Sequence, residues 1–246
     1  MVWGMGQPRG LGEFFPDGQF ESGRWPGRLM GHFHKQPVDV QKALFDAPLD
    51  PLDAMQFYEG FVVDKFRGEW GTRASPRPEH PPLTPILGHE LPSSFDTVKT
   101  CNSLASFISL NDRIAAIDAD LMELLETYEP GVHKFYPIEV RMPKGQIFPR
   151  PYHILVIGQY FDSFVPEKSR DQPVSEIPNS GGKLQIESGA KNRIPDLAFA
   201  QRVYGNAHFW RERRFGEWLT CLSDVLVAEI QKAGLQTPKL FKMIEA

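Results

Sequence analysis

The chain has 246 residues, of which 41% are hydrophobic and 24% are charged, an ordinary balance for a globular protein with a substantial core. Its formal net charge of −4 argues against a nucleic-acid partner, for which a basic face is expected. Two cysteines, Cys101 and Cys221, are too few for a secreted disulfide scaffold, and no apolar run reaches the ~18 residues of a membrane span. Because the N-terminal residues also lack the apolar run of a signal peptide, we expect a cytoplasmic protein without a membrane partner.

The first part of the chain is rich in residues that interrupt regular structure. Glycine and proline recur through residues 1–50, and six prolines fall between residues 71 and 92. The run 57–66 is aromatic and β-branched, which predicts a strand. Interspersed aromatic residues are too apolar for a free tail. We therefore expect residues 1–92 to form a loop-rich N-terminal region with few strands, packed on a second domain of residues 93–246.

A more regular pattern begins at residue 107. The short apolar run 107–110 predicts a strand, and Asn111 and Asp112 follow it as a predicted helix cap. The next apolar residues recur at steps of three and four, the spacing of one helical face, and they are Ile114, Ile117, Leu121, Leu124 and Tyr128. Pro130 and Gly131 end this predicted helix, and strands are predicted at 133–140 and at 152–157, the latter buried on both faces.

The same order of elements recurs at the C-terminus. A predicted strand at 218–222 leads into Ser223 and Asp224 as a helix cap, and Gly234 marks the end of the helix before a closing strand at 239–245. The two strand–helix–strand units predict an α+β fold. We expect a mixed, mostly antiparallel sheet with a few packed helices and a loop-rich N-terminal arm.

Several segments in this order resemble one known family. They are Ser-Leu-Asn-Asp at 109–112, His-Lys-Phe-Tyr-Pro-Ile-Glu-Val at 133–140, the strand at 152–157, Ala-His-Phe-Trp-Arg-Glu at 207–212 and the C-terminal Leu-Ser-Asp helix that ends in Ala-Gly-Leu. Over residues 93–246 the pattern is similar to immunity protein family eleven of bacterial polymorphic toxin systems. The resemblance implies a non-enzymatic protein that binds and neutralises a cognate toxin protein encoded beside it. The family pattern contains no catalytic residues.

The absence of common motifs for catalysis and cofactor binding supports the same expectation of a non-enzymatic protein. The sequence has no Gly-x-Gly-x-x-Gly, no phosphate-binding Gly-x-x-x-x-Gly-Lys-Ser/Thr and no Gly-x-Ser-x-Gly, so we expect no catalytic residues and no cofactor. His32 and His34 would share one face of a strand, but no grouped cysteines or carboxylates complete a zinc site, so we expect no metal. Two alternatives stay open: a hydrolase or transferase with a site near His32, His34 and Asp39, and a structural module of a secretion system.

Two stretches offer candidate contacts for a partner. Residues 208–214 combine a tryptophan with three arginines, which are residue types enriched in interface hot spots, although alternation along a structural strand also explains them. The predicted helix after residue 111 carries an acidic face, which is ordinarily a solvated face but could mimic the substrate of a basic nuclease toxin. From these stretches we predict five contact residues, which are Trp210, Arg211, Arg213, Asp118 and Glu123.

Overall fold

The computed structural model describes residues 1–8, 10–43, 51–68, 83–170, 174–177, 183–186, 196–215 and 219–246. Most of the proline-rich stretch predicted between residues 71 and 92 lies outside these ranges, as does residue 218 of a predicted strand. Within the described ranges, no helix combines the length and the apolar character that crossing a bilayer requires.

The described residues form helices and short strands, which confirms the predicted α+β class. The helices are α1 (Trp25–Phe33), α2 (Val38–Ala43), α3 (Pro51–Arg67), α4 (Ala119–Tyr128), α5 (Gln201–Tyr204) and α6 (Asp224–Lys232). The strands of the first half are β1 (Val2–Met5), β2 (Gly18–Phe20), β3 (Ser94–Thr97), β4 (Phe107–Ser109), β5 (Ala115–Asp118), β6 (Lys134–Met142) and β7 (Gln146–Ile147). The remaining strands are β8 (Tyr152–Val156), β9 (Tyr160–Phe161), β10 (Val174–Glu176), β11 (Leu184–Ile186), β12 (Ala198–Phe199), β13 (Phe209–Glu212), β14 (Thr220–Ser223), β15 (Leu240–Lys242) and β16 (Ile244–Glu245).

Two mixed, mostly antiparallel sheets organise the molecule. One has seven strands, in the order β2-β3-β6-β8-β5-β4 with β7 paired to β6, and the other has the order β15-β1-β14-β13-β9. Parallel pairs join β3 to β6 and β9 to β13. The first twenty residues supply a strand to each sheet, because β1 lies between β14 and β15 while β2 is an edge strand beside β3. The N-terminal arm is therefore part of both sheets.

Three hydrophobic clusters fill the spaces around the two sheets. Helices α1 and α3 cover one face of the seven-stranded sheet with side chains that include Trp25, Phe33, Val62 and Phe66. A second cluster joins residues of both sheets to the inner faces of α4 and α6. The third lies on the other face of the five-stranded sheet and contains Phe199, Tyr204 and Trp210. Successive side chains of β13 point to opposite faces of the five-stranded sheet, so Phe209 belongs to the second cluster and Trp210 to the third.

The strand predicted at 57–66 is wrong, because these residues belong to the 17-residue helix α3. Tyr58, Phe61, Val62 and Phe66 are buried at helical spacing against α1 and the seven-stranded sheet. A helix buried on several sides needs the same large apolar residues as a strand, so composition alone misled the prediction. Even Lys65 is buried there, where its ammonium group pairs with the Glu90 carboxylate at 2.6 Å.

The helix cap predicted at Asn111 and Asp112 is also wrong. These residues form a tight turn between the antiparallel strands β4 and β5, and Asp112 has a positive φ of 55°. Helix α4 begins only at Ala119, and the carboxylate of Asp118 accepts a hydrogen bond from the Leu121 amide at 2.9 Å. The error has a physical reason: β5 is buried along its whole length, so its apolar residues happened to extend the helical spacing of α4.

The C-terminal cap is confirmed. The Ser223 hydroxyl accepts a hydrogen bond from the Leu226 amide at 3.1 Å, and Gly234 ends the helix with a φ of 67°. The structural counterpart of Ser223 is therefore Asp118, since each is the last residue of a strand that continues directly into a helix. The repeated unit exists with a different register from the one that the sequence predicts.

Substitution of the two candidate caps separates their roles. Asp118→Ala should lower the free energy of unfolding by at least about 1–2 kcal/mol, because the first turn of α4 loses its acceptor and Arg150 loses its ionic partner. Asn111→Ala should change it by no more than about 0.5 kcal/mol, because Asn111 caps no helix. Urea unfolding of both variants gives the comparison, and a larger loss for Asn111→Ala would contradict the assignment of the cap to Asp118.

Candidate partner-binding surface

Helices α4 and α6 lie side by side and run in opposite directions. Each follows a strand of a different sheet, and each turns its buried residues toward the shared second cluster. The end of α4 meets the start of α6, because the Tyr128 and His208 rings are 5.1 Å apart and His208 Nδ1 is 2.8 Å from the Ser223 hydroxyl. The start of α4 accordingly lies beside the end of α6. The helix pair joins the two sheets across one surface of the protein.

A shallow groove of about 330 Å³ opens between one face of α4, from Asp120 to Thr127, and the end of α6. Its lining residues are Asp120, Glu123, Leu124, Thr127, Ala233 and Leu235. The two leucines are half-buried and pack against the second cluster, whereas Asp120 and Glu123 are exposed. None of these six residues is basic, so the groove combines apolar surface with negative charge.

The end of α6 fixes one side of this groove. The Leu235 amide donates to the Ile230 carbonyl at 3.0 Å, and the Gly234 amide donates to the Gln231 carbonyl at 3.1 Å. These two bonds are those of a Schellman motif, which also brings the residue after the glycine back onto the helix. Leu235 is thereby held against the core and beside α4. The C-terminal end of α6 also contributes the partial negative charge of its helix dipole.

The structure places three of the five predicted contact residues in the interior. Trp210 has 0% exposure and stacks on Tyr204, with ring centroids 4.6 Å apart. Asp118 also has 0% exposure, because it caps α4 and pairs with Arg150 at 2.9 Å. Arg211 lies in the buried strand β13 with 8% exposure. Contact with a partner stays a prediction for all five residues, of which Glu123 and Arg213 are exposed in the free chain.

Glu123 and Arg213 do not share one site. Glu123 lines the groove, whereas Arg213 follows β13 in the five-stranded sheet and is not a lining residue. The predicted acidic face is also divided by the structure, because Asp112 lies in the turn between β4 and β5. Of the other acidic residues on α4, Asp120 joins Glu123 in the groove. The sequence predicts Glu123 on an acidic helix face, but it does not reveal the groove formed with Leu235.

A buried polar network that the sequence did not reveal supports the helix pair. The Glu129 carboxylate accepts hydrogen bonds from His133 Nε2 at 2.7 Å, from the Gln159 amide group at 2.5 Å and from the His208 backbone N–H at 2.6 Å. Burial acts to raise the pKa of Glu129, but the hydrogen bonds from His133, His208 and Gln159 outweigh it and hold the pKa below its usual value. The network ties the end of α4 to both sheets.

The imidazole of His133 is oriented by a second hydrogen bond. The Gly158 backbone N–H donates to His133 Nδ1 at 3.2 Å, so the ring proton lies on Nε2 and is donated to Glu129. His133 thus has a structural role, and the sequence points to it only as the first residue of the family-like segment 133–140.

A second buried carboxylate lies at the end of β13. Glu212 has 2% exposure, and its carboxylate accepts hydrogen bonds from the Ser163 backbone N–H at 3.0 Å and from the Ser163 hydroxyl at 2.6 Å. Burial is the larger effect and raises the pKa of Glu212 to about 7, with a further contribution from the negative charge of Asp162. This carboxyl group therefore changes charge near neutral pH.

The raised pKa of Glu212 predicts a stability that falls with pH. The folded state favours the protonated acid, so the stabilisation is complete below the unfolded pKa of 4.5 and is lost as the pH rises through about 7. The loss is on the order of 3 kcal/mol. Glu212→Gln cannot ionise, so the difference between its free energy of unfolding and that of the parent should grow between about pH 5 and about pH 8. Urea unfolding across this range tests it, and a constant difference would contradict the assignment.

The histidines considered for an enzyme site lie at the end of a helix rather than in a strand, His32 within it and His34 just after it. His32 belongs to α1 and stacks on His89, with ring centroids 3.4 Å apart, and His89 Nε2 is 2.8 Å from the Tyr58 hydroxyl. His34 is exposed just after α1, and Asp39 is exposed in α2. Among the residues that the structure describes, no group of three His, Cys, Asp or Glu side chains is arranged to hold a metal ion.

The two cysteines are free thiols in different surroundings. Cys101 is half-buried, whereas Cys221 lies fully buried in β14. Burial raises the pKa of the Cys221 thiol, which makes it a poor nucleophile. Cys221 therefore serves as a small apolar residue of the third cluster.

Comparison with models of known protein families gives a match over the second part of the chain. A family described as Immunity protein family (Imm11) matches residues 99–244, which is more than half of the chain. The matched stretch contains both capped helices and all six residues that line the groove. No curated protein matches the chain.

Proposed function

The chain belongs to the Immunity protein family (Imm11), and from this membership we propose that it binds a cognate bacterial toxin and neutralises it without catalysis. The observation that carries the proposal is the family match over residues 99–244. The partner is a toxin protein of a polymorphic toxin system, and the complex forms in the cytoplasm of the producing cell. Neutralisation follows from covering the active site of the toxin or from holding the toxin in an inactive state.

The interior of the protein supports a binding role rather than a catalytic one. The buried Glu129 carboxylate is occupied by three hydrogen bonds from the protein, and His133 is held by Glu129 and Gly158. Glu212 is likewise occupied by Ser163. Polar groups satisfied in this way stiffen a scaffold, and a stiff scaffold loses little conformational entropy when it binds a partner.

The groove between α4 and α6 is our proposed contact surface. It contains Glu123, one of the two predicted contact residues that are exposed, and it lies within the family match. The half-buried leucines offer apolar area that a partner can cover, and the exposed carboxylates offer charged groups that can fix its orientation.

Co-expression tests the proposed function. The protein encoded by the neighbouring reading frame should arrest growth when its toxic domain is produced alone, and simultaneous production of this chain should restore growth. The two proteins should also co-purify, whereas a structural module of a secretion system would self-associate without the toxin. Failure of both rescue and co-purification, with this chain folded, would contradict the proposal.

A further inference from the structure

The groove between α4 and α6 has a chemistry that defines what can occupy it. We propose, resting on the function proposed above, that it receives a basic segment of the toxin. The aliphatic stems of lysine or arginine side chains lie against Leu124 and Leu235, and their charged ends meet Asp120 and Glu123. Lysine and arginine are suited to such a surface, because their stems can be buried while the charged end remains at the polar rim.

The charge of the groove favours a cationic occupant. Asp120 and Glu123 are both exposed and three residues apart on α4, so their carboxylates lie on one face of the helix. The C-terminal end of α6 adds the negative end of its helix dipole at Ala233. The nearest lysine along α6 is Lys232, whose ammonium group is paired with Glu229 at 3.1 Å. The negative potential of the groove is therefore not cancelled by its own helix.

The apolar surface of the groove adds buried contact area to the attraction between opposite charges. Exposed ion pairs alone contribute little affinity, because water and salt screen them. Leu124 and Leu235 are half-buried and fixed against the second cluster, Leu235 through the hydrogen bonds at the end of α6. Side chains that cover these leucines exclude water from the neighbouring carboxylates, which strengthens the attraction between opposite charges.

The dimensions of the groove suit one face of a peptide segment. A volume of about 330 Å³ lies at the lower end of the range for small-molecule sites, and this groove is open to solvent. The lining residues of α4 extend from Asp120 to Thr127, a length of about 10 Å along the helix axis. That length matches roughly two turns of an α-helix in the partner, enough to present two or three basic side chains.

Rival occupants make different demands on the groove. Nucleic acid would bring phosphate groups toward two carboxylates and would be repelled. A second copy of this chain would have to bring a basic patch of its own to the groove, and the molecule would then self-associate in the absence of toxin. Family membership favours the toxin as the occupant, and the carboxylates of the groove favour a basic surface on it.

Charge reversal in the groove tests the proposal. The probe is the catalytically inactivated toxic domain encoded by the neighbouring reading frame, and the ligand is the full chain. The double variant Asp120→Lys, Glu123→Lys should bind this domain about 10- to 100-fold more weakly, mainly through slower association. The affinity of the parent chain should fall as salt is added, and that of the variant should respond less. Thermal unfolding should show the variant folded and only slightly less stable than the parent, because Asp120→Lys places a cation in the first turn of α4.

A matched control carries the same change of charge elsewhere. Asp39→Lys, Glu167→Lys replaces two exposed carboxylates in α2 and in the loop after β9, neither of which lines the groove. This variant should bind within about threefold of the parent. A third variant, Thr127→Arg, places a cation in the groove without removing a carboxylate and should also weaken binding.

The outcomes distinguish a failure of the groove assignment from a failure of the proposed toxin-binding function. If the parent binds and the groove variants bind equally well, the groove assignment is overturned and the proposed function stands. If the parent does not bind at all, both are overturned. If the parent forms a dimer without toxin and the groove variants are monomeric, the occupant is a second copy of the chain and the assignment to the toxin is overturned. The proposal is supported if the groove variants lose affinity for the toxin while the control variant keeps it.

Discussion

Glu129→Ala is expected to lower the free energy of unfolding by about 3–5 kcal/mol, because it leaves a buried cluster of donors without an acceptor. His133, Gln159 and the His208 backbone N–H all donate to this carboxylate, and they come from three separate parts of the chain. Water cannot easily replace the acceptor, since His133 and Glu129 are both buried. Urea unfolding monitored by tryptophan fluorescence measures the loss.

A substitution on the same helix serves as the control for Glu129→Ala. Glu123→Ala removes an exposed carboxylate and should change the free energy of unfolding by no more than about 0.5 kcal/mol. Glu129→Gln keeps one acceptor oxygen, so its loss of unfolding free energy should lie between those of Glu129→Ala and Glu123→Ala. A loss below about 1 kcal/mol for Glu129→Ala would mean that the network does not join the sheets as described.

Trp210→Ala is expected to lower the free energy of unfolding by a similar amount, about 3–5 kcal/mol. The indole is fully buried, stacks on Tyr204 and meets the edge of Phe161 at 6.2 Å between ring centroids. Its removal leaves a large cavity in the third cluster. Trp210→Phe keeps an aromatic ring and should lose less. Chemical denaturation of both variants measures the effect on stability.

The same pair of variants also tests whether Trp210 touches the toxin. Because the indole has no exposed surface, folded Trp210→Phe protein should bind the toxin with unchanged affinity. Normal stability combined with lost binding would contradict the interior position of Trp210. It would restore Trp210 as a contact residue, as the sequence predicts.

The sequence predicts the C-terminal helix better than the rest of the fold. Ser223 and Gly234 act through local backbone geometry, so their roles are visible in a short stretch of residues. The strand β5 shows the opposite case, because a buried strand and an amphipathic helix can carry the same apolar spacing over a few residues. The pattern of α3 was hidden by burial on several sides. The predicted domain division at residue 92 stays a prediction.

The surface could be predicted only in part, because its geometry depends on distant segments. Glu123 was identified from the acid-rich pattern of one helix, but the groove also needs Leu235, which lies more than a hundred residues further along the chain. The burial of Asp118 depends on its pairing with Arg150, and a sequence gives no sign of such a partner. Whether a charged or aromatic side chain faces solvent is decided by packing, which is why the sequence did not reveal that Trp210 is buried.

Titration of toxin activity with increasing amounts of the purified chain tests the central claim most directly. Neutralisation by binding predicts that the activity falls in proportion to the chain added and is abolished at an equimolar ratio, with no dependence on incubation time once the complex has formed. Two results would contradict the claim. One is progressive inactivation by a small fraction of an equivalent, which would indicate an enzyme, and the other is undiminished toxin activity in a large excess of folded chain.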